Sequence, residues 1–279
     1  MTGILLAVAA SLSWGVADFG AGVGSRRLTV PLVIAASQAA GLVFIALVVA
    51  IVHPDLPTGA QFAWGALAGV VGVMGLTAFY RGLAIGAMGI VGPLSATGAV
   101  VPLAYGLTRG ERPATLQLAG VALAVVGVIA ASVERHVDTH GRRIGAGVGY
   151  ALLAALGFGC SLIALSKAAA GGALWAPLSM RSVGVPLIVI AVLFLRTPTE
   201  GLRASVWLLV GVGVCDTTAN MLFGLASTRA LLSVVSVLAS LYPVVLVALA
   251  RVLLHERIAK HQLAGVAVAL GGVALISAG

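Results

Sequence analysis

Apolar runs of about 20 residues follow one another from one end of the chain to the other, and about 20 is the length a helix needs to cross roughly 30 Å of hydrocarbon. Only short polar or Gly/Pro-containing breaks separate them. Ten runs can be placed, at 3–23, 30–52, 63–86, 89–108, 114–133, 145–167, 174–195, 205–227, 231–254 and 260–278. A backbone in lipid must satisfy its own hydrogen bonds, and these runs lack the alternation of barrel strands, so an all-α integral membrane protein is expected. The first run starts MTGILLAVAA with no basic residues before it and is too long and continuous for a cleaved leader, so it is read as a span.

Composition agrees. Charged residues make up 9% of the chain, against roughly 25% in soluble domains, and hydrophobic ones 61%. The net charge of +8 raises the question of nucleic acid, but the 16 Lys and Arg are scattered between apolar runs without a basic stripe. Their placement is better explained by membrane orientation. Cys160 and Cys215 lie in separate apolar runs without metal-ligand spacing and are expected to be buried as small hydrophobes.

The most polar break, ERHVDTHGRRIG at 134–145, divides the chain nearly in half, which prompts a search for a repeat. Sliding the chain by 145 residues lays ERPATLQLAGVALAVVGVIAAS (111–132) over ERIAKHQLAGVAVALGGVALIS (256–277) with 13 of 22 positions identical, QLAGVA included. GILLAVAASLSWG (3–15) lies more weakly over GVGYALLAALGFG (147–159). The expected organisation is a first five-helix repeat at 1–135, a linking loop at 136–144 and a second repeat at 145–279. An odd number of spans per half makes the second half enter the membrane inverted, which puts the working site near the midplane between the halves.

These features resemble a known family. A WG (14–15) or FG (158–159) late in the first helix of each half, SLYP (240–243) in the ninth span, and the Gly110-Glu111-Arg112 and His255-Glu256-Arg257 turns before each last helix are similar to the EamA family of the drug/metabolite transporter superfamily. The resemblance implies ten transmembrane helices in a multi-pass protein of the plasma (inner) membrane, carrying small metabolites, amino acids or drugs. It also implies termini on the cytoplasmic side. The charges point the other way. Loops after spans one, five, seven and nine carry Arg26, Arg27, Arg135, Arg142, Arg143, Arg196, Arg203, Arg251, Arg257 and Lys260, while the opposite set carries Arg109, Arg112, Lys167 and Arg229. The positive-inside rule therefore favours termini out. The halves also differ: Pro243 lies thirteen residues before Glu256 but Pro102 only nine before Glu111, which offsets the two kinks by about one helical turn.

Ionisable residues inside the spans are the candidate working parts, since each costs at least about 2.5 to 3.5 kcal/mol in hydrocarbon and usually faces a bundle interior or aqueous path. Asp18, Arg81, Arg181 and Asp216 are the four, two of each sign. Counting about 1.5 Å of rise per residue, Asp18 and Arg81 reach similar depth on one side, and Asp216 sits near the midplane within reach of Arg181. Two ion pairs are therefore expected, Asp18 with Arg81 and Arg181 with Asp216. Helical phase aligns Asn220 and Phe223 with Asp216, Trp14 with Asp18, and Ser233, Ser236 and Ser240 with one another, so several polar stripes converge on a cavity. Tyr242, Tyr105 and Phe158 could stack on a solute there, although aromatic packing is their default, and serines in membrane helices more often bond their own backbone. The Glu111-Arg112 and Glu256-Arg257 turns should cap helices five and ten by their charge.

The expected function is secondary transport of a small solute by alternating access, as an exporter, with a coupling proton or cation group on Asp216. No P-loop, cofactor motif or metal cluster is present in the sequence to support a pump or a cofactor enzyme. A membrane-embedded enzyme acting on lipid through Asp18 and Asp216 lacks a nucleophile with a base beside it. A non-transporting structural protein is the other alternative, and the inverted repeat weighs against it, since exchange between two symmetry-related states is what that architecture provides. The expected partners are a solute and the bilayer, not nucleic acid, and a monomer could suffice, with an oligomer left open.

Overall fold

The computed structural model describes residues 1–85, 95, 97–132, 144–253 and 260–278. All regular structure among them is helical: α1 (Thr2–Ser25), α2 (Val30–Val52), α3 (Gly59–Ile85), a 3-10 turn (Thr97–Ala99) running into α4 (Val100–Thr108), α5 (Thr115–Ser132), α6 (Ile144–Ala169), α7 (Trp175–Phe194), α8 (Leu202–Ser227), α9 (Leu232–Ala239), α10 (Tyr242–Leu253) and α11 (Lys260–Ala278). Among the described residues, six of these (α1, α2, α3, α6, α7 and α8) are long and apolar enough to cross a membrane. Large apolar side chains such as Leu5, Leu12, Val43, Leu47, Phe194 and Trp207 cover the outside, as a lipid-facing surface requires. Cys160, expected to be buried, is exposed on α6, and Cys215 is half-buried.

The ninth run is not one helix. It breaks at Ser240-Leu241, between α9 and α10, inside SLYP, and Pro243 follows as the second residue of α10. In the first half Pro102 is likewise in the first turn of α4, after the 3-10 turn. Proline is tolerated there because the first N–H groups of a helix have no intrahelical partner.

Contacts between the halves are made twice. The helix α1 packs on α8 and α3 packs on α6, and because α1 corresponds to α6 and α3 to α8, these are one seam in two copies. The same holds where α2 meets α8 and α7 meets α3. The closing helices α5 and α11 pack on each other. A Cβ added at Gly127 would lie 2.7 Å from the Ala269 Cα, and one at Gly272 would lie 2.6 Å from the Ala124 backbone nitrogen. Those are the same two positions of the repeat, 145 residues apart, meeting in both senses. Small residues permit this backbone approach, which in lipid replaces the hydrophobic drive available in water.

The main core fills the end of the bundle where α1 begins, α6 ends and α9 begins, with Ala7, Ala10, Leu165, Ala168, Phe223 and Ala226 around α9. Every residue of α9 is buried. At its N-terminus Glu111 accepts the backbone N–H of Leu232 on one carboxylate oxygen and that of Ser233 on the other, both at 2.9 Å. This corrects the expectation that Glu111 supports helix five. The helix α5 begins only at Thr115, and there the Gln117 side chain accepts the Ala114 N–H at 3.0 Å. The Glu256-Arg257 turn lies outside the described residues. Glu111→Gln removes the charge and one of two acceptors at a helix start, so a loss of about 0.5 to 2 kcal/mol is expected. A lowered melting temperature of the purified protein in lipid checks it.

Candidate functional site

The sequence supplies few polar groups in the middle of the bundle, so their partners can be traced one by one. Arg181 projects from α7, five residues before Pro186. Its Nη2 donates to Asp216 Oδ2 of α8 at 2.5 Å, and its Nη1 donates to the side-chain oxygen of Gln38 on α2. Gln38 Nε2 closes the triangle by donating to the same Asp216 oxygen at 3.1 Å. Asp216 Oδ1 receives no hydrogen bond among the described residues. Arg181 is 2% exposed and Asp216 23%, so the cation is sealed in while part of the carboxylate remains accessible. Arg181 Nε is buried without a partner.

Close helix crossings position this triangle. A Cβ at Gly41 of α2 would lie 2.8 Å from the Gly213 carbonyl oxygen and 3.0 Å from Arg181 Cζ, so only glycine lets α2 lie over the guanidinium. On α8, Asn220 Nδ2 donates to the Asp216 carbonyl oxygen at 2.7 Å and Thr217 Oγ1 to that of Gly213 at 2.6 Å. Ser13 of α1 donates to the Cys215 carbonyl oxygen at 2.7 Å, pinning α1 to the same turn.

The triangle forms part of the wall of a cavity of about 270 Å³. Trp14 and Asp18 line it from α1, Gly72 and Leu76 from α3, Phe158 and Ser161 from α6, Met180 from α7, Asn220 from α8, and Ser240 and Tyr242 at the α9–α10 break. Both halves of the chain therefore contribute. Asp18 is accessible, and among the described residues it has neither hydrogen bond nor ion pair. Trp14, one turn earlier, is held by a tilted contact with Phe223, ring centroids 5.9 Å apart. Phe158 is held similarly by Phe79 at 6.1 Å.

Among the residues singled out in the sequence, Asp18, Trp14, Arg181, Asp216, Asn220, Ser240 and Tyr242 share this cavity, and Arg181 meets Asp216 as its depth implied. Arg81, Ser236 and Tyr105 do not join them. Arg81 is exposed near the end of α3 and does not line the cavity, and no pair with Asp18 forms. Ser236 is buried in α9 and donates to the Ser233 carbonyl oxygen at 3.2 Å, while Ser240, at the cavity, donates to that of Val237 at 2.8 Å. The serine stripe is thus turned mainly to its own backbone. Tyr105 lies at the other end, with Lys167 Nζ 5.6 Å and Arg109 Cζ 5.9 Å from its ring centroid and Lys167 also 5.9 Å from that of Trp64. Gln38 is the member the sequence reading missed; a lone amide between Ser37 and Ala39 in an apolar run was the available signal.

Comparison with known proteins follows the two halves. The model of the EamA-like transporter family matches residues 1–133 and again 145–278. No curated protein matches the chain. A solved crystal structure superimposes with a TM-score of 0.77 at 16% identity, covering 98% of this chain and 96% of its own, a likeness of fold.

Proposed function

The chain belongs to the EamA-like transporter family, and from that premise we propose that it exports a small metabolite, amino acid or drug-like solute across the plasma membrane by alternating access. Membership makes it a multi-pass membrane transporter of the drug/metabolite type. In this reading ten helices form two inverted five-helix halves that rock about the central cavity, and the contacts made twice between the halves support that arrangement. What carries it is the cavity itself: about 270 Å³, walled by both halves, with an accessible carboxylate and a partly accessible one. Such a site, apolar with a few convergent polar groups, suits a small ligand.

The two ends of the bundle differ, which supports a direction. One end carries the Tyr105, Lys167 and Trp64 contacts, the Glu111 cap and the buried α9, and we read it as the more closed of the two. Asp18, in the second half of α1, lies towards the other end, where Arg26, Arg27 and Arg196 follow the ends of α1 and α7 and Arg203 is in the first turn of α8. Positive-inside placement makes that end cytoplasmic, so the cavity would load from the cytoplasm. A coupling proton would bind at Asp216 Oδ1, the carboxylate oxygen left without a hydrogen bond.

Counterflow in proteoliposomes against a panel of amino acids, sugars, nucleosides and organic amines tests the reading, with everted vesicles reporting direction. Saturable exchange of at least one solute is expected. A folded protein that exchanges none would refute transport.

A further inference from the structure

We propose that the transported solute is a small amphipathic monocation, a quaternary or protonated amine, whose positive group pairs with Asp18 between Trp14 and Tyr242. This rests on the transporter reading and assigns its substrate class. Among the described residues, the charged groups lining the cavity are Asp18, Asp216 and Arg181, which leaves a net charge of −1. The cation is already committed: Arg181 Nη1 and Nη2 hold Gln38 and Asp216, and Nε is sealed from the cavity. Among the described residues, no cation on the wall is left to pair with an anion.

Asp18 is the converse case. It is accessible in the cavity with no hydrogen bond or ion pair among the described residues, although an intramembrane carboxylate ordinarily pairs. A cation brought in by the solute completes it. Trp14 lies one helical turn away on the same face of α1, fixed by Phe223, and Tyr242 and Phe158 add two more aromatic rings to the wall. Aromatic faces attract cations, quaternary ammonium groups above all, and do so more strongly when water is excluded. The rest of the wall, with Leu76, Leu162 and Met180, is apolar and takes the remainder of the molecule. A cavity of about 270 Å³ limits that remainder to a few carbon atoms.

The probes are choline and 3,3-dimethyl-1-butanol, its uncharged isostere, titrated calorimetrically into the full chain in lipid nanodiscs. Choline is expected to bind at least about tenfold more tightly, in keeping with the combined strength of cation–π attraction and charge pairing. Asp18→Asn should abolish that preference, and Trp14→Leu, which keeps the charge, should reduce it severalfold. Equal binding of the two probes to the wild-type protein overturns the proposal without recourse to any variant, and so does an undiminished preference in a folded Asp18→Asn protein. Counterflow run alongside separates the two readings. Exchange confined to neutral or anionic solutes overturns the cation assignment and leaves transport standing, whereas choline-selective binding with no exchange of any solute does the reverse.

Discussion

Arg181→Gln and Asp216→Asn, made separately, are each expected to lose transport and to destabilise the protein by about 3 to 5 kcal/mol, because each strands the opposite charge in the middle of the bundle. The double variant should recover most of that stability, since two neutral side chains close the Gln38 triangle without a charge to solvate. Its transport is the informative quantity. If the triangle is only a strut between α2, α7 and α8, the double variant transports. If Asp216 Oδ1 takes a coupling proton, as proposed, the double variant folds and does not accumulate solute against a gradient. Melting temperature in lipid and proton-gradient-driven uptake into proteoliposomes, measured on all four proteins, give the coupling between the two positions for each property.

The second large effect is expected from a single methyl group. In Gly213→Ala the new Cβ would lie 2.8 Å from the Gly41 nitrogen and closer still to the Ser37 carbonyl oxygen, both backbone atoms of α2 that cannot rotate aside. The helices α2 and α8 must then separate, and overpacking of this kind costs about 1 to 3 kcal/mol. The functional loss should exceed what that figure implies. Asp216 is three residues along α8 and Gln38 lies beside the displaced carbonyl on α2, so the shift opens the triangle itself. Gly211→Ala, on the same helix with nothing within 4 Å of its Cβ position, should leave melting temperature and transport unchanged and serves as the control.

Much of this architecture could be read before any coordinates. Run length and the QLAGVA repeat indicate a helical membrane protein of two related halves, because lipid leaves the backbone so few alternatives. Depth counting paired Arg181 with Asp216 correctly, since α7 and α8 are also neighbours. The same arithmetic misled for Asp18 and Arg81. Rise per residue gives height but not azimuth, and α1 packs on α8 to α10 whereas α3 packs on α6 and α7. Gln38 escaped notice because an uncharged amide does not interrupt hydropathy, and what makes it matter is a partner 143 residues away. Glu111 was misassigned for a related reason: sequence proximity favoured the next helix, while its two acceptor oxygens are used by α9, over a hundred residues further on.

The seam between α5 and α11 has a consequence for how the protein is made. Gly120 and Gly127 pack on Gly272, Ala269 and Ile276, which leave the ribosome well over a hundred residues later. Until then the first half carries an unfilled groove of small residues and Glu111 awaits α9, so the first half does not reach its final packing before α11 is made. Assembly is thus decided only once α11 has emerged, and a premature stop before α11 would deliver to quality control a chain that is inserted but never closed.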